Sequence, residues 1–118
     1  MVNQINTNGI VGKRFLIKNS DNTTKDFITC ENNRLLKINS LFVCIEPLTD
    51  QVSTSGAITI RYDNGTEYPI INNLPLQHGE AVQVLEKYIY VTSGEKITVQ
   101  CEPALTVSYV AFGEELTE

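Results

Sequence analysis

Apolar residues in this chain recur at every second position, in short segments separated by turn-forming residues. A period of two is that of a strand with one buried face, whereas an amphipathic helix has a period near 3.6. About eight to ten such strands at this spacing predict an all-β protein, an antiparallel sandwich or barrel. The segments with the strand pattern are 14–18, 26–31, 34–38, 41–46, 57–62, 66–71, 80–85, 88–92, 96–101 and 105–112.

The length of 118 residues is that of one domain, so residues 1–118 are expected to form a single β-sandwich. Hydrophobic residues make up 42% of the chain and charged residues 19%, which is a globular composition. Residues 1–12 are predicted to form an N-terminal arm, and residues 113–118 an acidic tail that frays.

The segment 57–71 is predicted to be a β-hairpin. A two-residue turn at Asn64 and Gly65 is common in hairpins, but it would put the large apolar residues of the two strands on opposite faces. A three-residue loop, 63–65, keeps them on one face, as burial of that face requires. Gly65 then supplies the positive φ of a G1 bulge. The predicted pairs are Tyr62 with Thr66, Ile60 with Tyr68, and Ile58 with Ile70.

Three further predictions concern the strands that surround this hairpin. The strand 96–101 has one apolar and one polar face, and the turn 93–95 is expected to fold it back on Ile89 and Val91. The segment 105–112 is apolar at almost every position, which predicts a central strand. The segment 41–45 is apolar on both faces and is expected to be covered by a partner or by the loop 47–56.

Charge argues against nucleic acid as a partner. The formal net charge is −5 and the chain has only 9 Lys and Arg, which are scattered along the sequence. Phosphate binding needs clustered cations. No apolar stretch approaches the roughly 20 residues of a membrane-spanning helix. Neither nucleic acid nor a membrane is therefore an expected partner.

The cysteines and the N-terminus indicate a soluble protein made in a reducing compartment. The chain has an odd number of cysteines, namely Cys30, Cys44 and Cys101. They lack CxxC spacing and lie in apolar runs, which predicts buried thiols. A disulfide between Cys44 and Cys101 is the alternative, on the condition that their strands face each other. The first residues have neither the basic nor the apolar region of a signal peptide.

No constellation for catalysis is evident, and the chain is expected to be neither an enzyme nor a cofactor-binding protein. His78 is the only histidine and lies in a predicted turn, whereas metal sites draw on several ligands. Sequence motifs for phosphate, zinc or nucleophile sites are absent. The sequence therefore predicts no catalytic, metal-binding or cofactor-binding residues.

Tyr88 and Tyr90 are the candidate interface residues. They alternate with Ile89 and Val91, so they point outward if those two residues point into the core. Outward tyrosines serve as amphipathic anchors in subunit interfaces. Two alternatives remain open: half-buried aromatics of the sheet or a second layer of the core, and a platform on which a sugar stacks.

The C-terminal half has a recognisable order of strand and turn segments. Ala57 to Thr66 is followed by Leu74 to Lys87, then by Tyr88 to Val99 with its Ser-Gly-Glu-Lys-Ile junction, and then by Leu105 to Ala111 with Val-Ser-Tyr. This order resembles small jelly-roll accessory proteins of tailed phages, including crAss-like phages, which decorate or stabilise capsids. The resemblance covers residues 34–112 and rests on strand rhythm.

The resemblance implies a jelly-roll sandwich and a structural role in the virion, assembled in the host cytoplasm, with no cofactor and no catalytic residues. The implied partners are the major capsid protein or a neighbouring virion protein, together with further copies of this chain. A head–tail connector, neck or tail component is the alternative within the structural class. A carbohydrate-binding module that uses Tyr88 and Tyr90 is the alternative from another class.

Overall fold

The computed structural model describes residues 10–20, 23–46, 55–77, 81–101 and 106–117. This part of the chain consists of strands joined by turns. The strands are β1 (Ile10–Asn19), β2 (Lys25–Thr29), β3 (Arg34–Ile45), β4 (Ser55–Asp63), β5 (Glu67–Gln77), β6 (Ala81–Gln83), β7 (Ile89–Thr92), β8 (Lys96–Cys101) and β9 (Val107–Thr117).

The strands form two antiparallel sheets. The first sheet has the order β1-β9-β3, and both β6 and β7 pair with the free edge of β3, one after the other along its length. The second sheet has the order β2-β8-β4-β5. With β6 and β7 taken as one interrupted strand, this is the eight-stranded order of a jelly roll. The predicted all-β sandwich is confirmed, and β9 is a central strand as predicted.

The core lies between the inner faces of the two sheets. The strand period of two aims alternate side chains of each strand at the opposite sheet, and Phe27 of β2 reaches Tyr109 of β9 with ring centroids 5.9 Å apart. The fully buried side chains that form this layer include Ile28, Leu36, Ile38, Leu41, Val43, Ile45, Ile58, Ile60, Val91, Ile97, Val99, Val107 and Tyr109.

The segments predicted as separate strands, 34–38 and 41–46, are one continuous strand, β3. A register shift between Ile38 and Ser40 accommodates an extra residue, so that Ile38 and Leu41 both point into the core. A β-bulge of this kind changes which face successive residues occupy. The change in alternation between the two predicted strands is therefore a bulge within one strand and not the end of a strand.

The predicted register of the β4–β5 hairpin is wrong. Its three-residue loop is 64–66, because Asp63 pairs with Glu67. The side chain of Asp63 accepts a bond from the Gly65 N–H at 2.9 Å, and that of Asn64 accepts one from the Thr66 N–H at 3.2 Å. These Asx turns hold the loop one residue further along the chain than predicted. The observed pairs are Tyr62 with Tyr68, Ile60 with Ile71, and Ile58 with Leu74.

The expected return of strand 96–101 onto Ile89 and Val91 is also wrong. β7 pairs with β3 in the first sheet, whereas β8 pairs with β2 and β4 in the second. The turn is tight, with Gly94 at φ 81° and the Glu95 N–H donating to the Thr92 carbonyl at 2.9 Å. It passes the chain from one sheet to the other instead of closing a hairpin.

Of the segment 113–118, predicted to fray, residues 113–117 are instead the end of β9, and Glu118 lies outside the described residues. Glu115 of this segment lies between two cations, Lys13 at 3.6 Å and Arg34 at 3.9 Å, which compensate its charge in the sheet. Of the predicted arm 1–12, residues 10–12 are the start of β1 and pair with β9. Residues 1–9 lie outside the described residues.

Candidate docking face

The outer face of the first sheet carries a patch of large apolar side chains. Strand register places its members on one side, and most of them alternate with a residue that points into the core. Leu16 is 60% exposed, and Phe42 and Phe112 are about 40% exposed. We call these residues the apolar patch: Ile10, Leu16, Leu35, Phe42, Tyr90, Val110, Phe112 and Leu116.

The apolar patch consists of two rows, each of which is continuous across the sheet because its members are cross-strand neighbours. Leu16 of β1 pairs with Val110 of β9, which pairs with Phe42 of β3. The rings of Phe42 and Phe112 meet edge to face, with centroids 6.5 Å apart. At the other end of the sheet a second row runs through Ile10, Leu116 and Leu35.

A groove of about 440 Å³ crosses this second row. Its walls are aliphatic at one end and carry Tyr90 at the other, with Lys37 and Glu114 between them. A shallower groove of about 380 Å³ runs beside Leu16 and Val110. The outer face of the first sheet is therefore both apolar and contoured. Besides Tyr90, the lining of the larger groove consists of Ile10, Leu35, Lys37, Thr92, Glu114 and Leu116.

Tyr88 and Tyr90 point outward, in the orientation predicted from the sequence. Val91 is fully buried and Ile89 half-buried, while the two tyrosines are about half exposed. Their rings meet edge to face at 5.3 Å, and the ammonium of Lys37 lies 4.4 Å from the centroid of the Tyr88 ring. A cation over the ring face is favourable and orients both groups. The interface role of the two tyrosines stays a prediction.

The outer face of the second sheet differs in chemistry. Residues of β4 and β8 that point away from the core there and are partly exposed are Thr59, Arg61, Asp63, Lys96 and Gln100, while Thr98 lies on the same side but is buried. Arg61 donates to the Gln100 side chain at 2.9 Å, and Lys96 pairs with Asp26 of β2 at 3.2 Å. This polar face is that of a sheet exposed to water, so the two outer faces are not equivalent.

Charges on the outer face of the first sheet nearly cancel. Among the residues that the structure describes, three cations on this face, Arg14, Lys18 and Lys37, stand against two carboxylates, Glu46 and Glu114, so their sum is +1, whereas the whole chain carries −5. Glu46 accepts a hydrogen bond from the hydroxyl of Ser108 and pairs with Lys18 at 3.0 Å. These contacts, the Ser108 bond first, lower the pKa of Glu46.

Sequence reasoning found the tyrosines but missed the rest of the apolar patch. The signal was present, since the segments 41–45 and 105–112 are apolar at both alternating positions. For 105–112 this pattern predicts a central strand near the core. The structure instead places Phe42, Val110 and Phe112 on the outside of two adjacent strands. The loop 47–56, proposed as a cover, lies largely outside the described residues.

Features for catalysis or metal binding are not found in the part of the chain that the structure describes. No group of three His, Cys, Asp or Glu side chains converges there, and His78 lies outside that part. Cys30, Cys44 and Cys101 form no disulfide; Cys44 is half-buried on the outer side of β3, whereas Cys101 is buried in the core. Burial raises the pKa of the Cys30 thiol. The described residues contain no helix long and apolar enough to cross a membrane.

Comparison with known proteins gives a likeness of fold. No family model matches the sequence, and no curated protein matches it. A solved structure of Bacillus endospore appendages, described as a novel family of disulfide-linked pili, superposes with a TM-score of 0.56 at 13% sequence identity. The match covers 92% of this chain and 88% of that one. At this identity the likeness shows the β-sandwich fold alone.

Proposed function

We propose that this chain is a structural protein that joins a larger assembly by docking its apolar patch onto protein neighbours. The assembly we propose is the virion of a tailed phage, in which the chain decorates or stabilises the capsid. The patch is the observation that carries the docking role, and the resemblance of residues 34–112 supports the assembly. The solved pili with a similar fold are also structural assemblies.

The physical argument starts from the cost of leaving the apolar patch in water. Monomeric proteins rarely expose large continuous apolar patches, and those that exist mark interaction sites. Burying a fully exposed apolar side chain is worth about 1.5–3 kcal/mol. The patch members are partly exposed, at most 60% for Leu16, so each supplies a part of that gain and several together favour a contact. The polar second sheet keeps the opposite face in water. The molecule thus has one face for contact and one for solvent.

A carbohydrate-binding module is the alternative from a different class, and the exposed Tyr88 and Tyr90 are its basis. Sugars stack on the open face of an aromatic ring. In this structure Lys37 covers one face of Tyr88, and Tyr90 meets the same ring edge to face. The arrangement suits a protein contact better than a flat stacking platform. Selective glycan binding that is lost on Tyr90→Ala would favour the alternative.

The proposal is tested by replacing Phe112 with a photo-cross-linking phenylalanine analogue in the full chain, produced in infected host cells. Particles are purified, irradiated and analysed by mass spectrometry. We expect the chain to sediment with particles and to cross-link from Phe112 to a neighbouring virion protein, a second copy of this chain included. The matched control carries the analogue at Thr59, on the polar face of the second sheet. A chain absent from particles contradicts the virion role, and equal cross-linking from both positions contradicts the docking face.

The same experiment separates a capsid location from the alternatives within the structural class. Cross-links from Phe112 to connector, neck or tail proteins, without any to the major capsid protein, would reassign the chain to that part of the particle. The docking face would be retained in that case.

A further inference from the structure

We infer that two copies of this chain form a dimer by packing their apolar patches against each other, outer face to outer face. The inference rests on the docking face of the proposed function and names its occupant as a second copy. Three observations carry it: the size of the face, the arrangement of its charges, and the charge of the rest of the molecule.

The face has the size that a stable dimer requires. Four strands about 4.8 Å apart and about ten residues long at 3.3 Å each give a flat area of about 600 Å². The accessible area of a face covered by side chains exceeds its flat area. A standard interface buries about 800 Å² per partner, so contact over most of this face reaches that class. Two sheets packed face to face at about 10 Å also follow an ordinary geometry of β-proteins.

The charges on the face are self-complementary. Lys37 of β3 and Glu114 of β9 are cross-strand partners and lie in the middle of the face, between the two apolar rows. Consider a two-fold axis in the interface plane that runs parallel to the strands, midway between β3 and β9. It places β3 of one copy over β9 of the second copy, and β9 over β3. Lys37 then lies opposite Glu114 of the partner subunit, and the reverse contact forms by symmetry. An isologous interface requires this kind of reciprocal match.

The same axis matches the apolar groups. Leu35 faces Leu116 of the partner subunit at one end, and Phe42 faces Val110 of the partner subunit in the other row. Apolar groups thus meet apolar groups at these positions of the two central strands, and the central charges meet opposite charges. Leu16 and Ile10 of β1 lie towards the rim, opposite Gln83 and Thr92 of the partner subunit.

The charge of the remaining surface favours this face over others for self-association. Two copies that each carry −5 repel one another through most orientations. The outer face of the first sheet carries +1, so the repulsion is weakest when the copies meet there. A strongly acidic or basic partner would find little opposite charge on a face that is so close to neutral.

The test is sedimentation equilibrium of the full chain at about 1–100 µM, a range that resolves micromolar dissociation constants. We expect the wild type to be a dimer. Phe42→Glu places a carboxylate at an exposed position of the face, opposite Val110 of the partner subunit, and should raise the dissociation constant about 100-fold because burying an unpaired charge costs several kcal/mol. Thr59→Glu, on the second sheet, is the matched control and should leave it unchanged. Circular dichroism and thermal melts of each variant verify the fold.

A charge exchange tests the central contact between copies rather than within one copy. Lys37→Glu gives a face with two central carboxylates, and Glu114→Lys gives one with two central cations. Each variant alone should be mainly monomeric, and an equimolar mixture should form the heterodimer, because only the mixture places opposite charges against each other. Pairing within one chain cannot produce this recovery.

The outcomes distinguish this inference from the proposed function. A wild-type chain that is monomeric at about 100 µM overturns the dimer, while cross-linking from Phe112 in particles still decides the docking role. A dimer that survives Phe42→Glu, or a mixture that fails to associate, also overturns it. Selective binding of a glycan by a monomeric chain would overturn the dimer in favour of a carbohydrate-binding module.

Discussion

Gly113 shows how a single residue fixes the packing of two strands. It lies in β9 opposite Ile38, where β3 carries its bulge. A Cβ atom at this position would overlap the carbonyl oxygen of Lys37 and lie 3.1 Å from the Cα atom of Ile38. The absence of a side chain therefore allows the bulged strand to approach β9 closely.

We predict that Gly113→Ala lowers the free energy of unfolding by about 1–3 kcal/mol, because the obstructing atoms belong to the backbone and must shift. Urea denaturation measures the change. Gly12→Ala is the matched control, since Gly12 lies on the neighbouring strand with nothing within 4 Å of the added atom. Its stability should stay within about 0.5 kcal/mol of the wild type or rise slightly. Equal losses in both variants would contradict the packing argument.

Gly65 tests the backbone of the β4–β5 loop. Its φ of 105° lies in a region that β-branched residues avoid, and a side chain there would meet no other atoms. Gly65→Val should therefore destabilise the protein by about 1–2 kcal/mol through backbone strain alone. A thermal melt detects it. An unchanged melting temperature would show that the loop adopts another conformation at no cost.

At the scale of elements, the junction between β7 and β8 holds the two sheets together. The carboxylate of Glu95 accepts hydrogen bonds from the Thr92 N–H at 2.8 Å, from the Thr92 hydroxyl and from the hydroxyl of Tyr62 in β4. These bonds, those of Thr92 first, lower the pKa of Glu95. Burial and the Glu95 carboxylate raise the pKa of Tyr62 to about 12.

The pH dependence follows from the direction of the Glu95 shift. A carboxyl with a lower pKa in the folded state contributes stability that is fully present above its unfolded pKa, near 4.5, and is lost as the pH falls through the folded value. We predict that the difference in stability between the wild type and Glu95→Gln is larger at pH 7 than at pH 3. Urea denaturation at the two pH values measures it.

Two further variants sharpen this measurement. Tyr62→Phe removes one donor to the carboxylate and should have an intermediate pH dependence. Some acid sensitivity should persist in Glu95→Gln, because the pKa of Glu46 is also lowered. A difference between wild type and Glu95→Gln that is the same at both pH values would contradict the role of the charged carboxylate.

At the scale of the whole molecule, the outer faces of the two sheets are chemically opposed. β4 and β8 present threonine, charged and amide groups outward, whereas β1, β3 and β9 present mainly aliphatic and aromatic groups. An acidic chain with one nearly neutral apolar face is expected to associate through that face while it stays soluble through the others.

The salt dependence of the proposed dimer follows from this distribution. Raising the ionic strength from about 0.05 to 0.3 M screens the repulsion between two copies of charge −5 more than it weakens a contact whose area is mainly apolar. We therefore predict that dimerisation tightens over this range. Sedimentation equilibrium at the two salt concentrations measures it. A dissociation constant that rises with salt would indicate an interface dominated by opposite charges instead.

The sequence by itself determined what depends on neighbouring residues in the chain. The alternation of apolar and polar residues predicted strands in most of the places where they are found, the two-layer β fold, and the outward direction of Tyr88 and Tyr90. This succeeds because the direction of a side chain in a strand depends on a period of two residues.

Only the tertiary structure decided which strands are neighbours and in which register. That β7 and β8 lie in different sheets, that 113–117 belongs to a central strand, and that the hairpin loop is 64–66 depend on pairings between residues far apart or on side-chain bonds in a turn. The apolar patch exists for the same reason. Leu16, Val110 and Phe42 come from distant parts of the sequence, and only the order β1-β9-β3 brings them into one row.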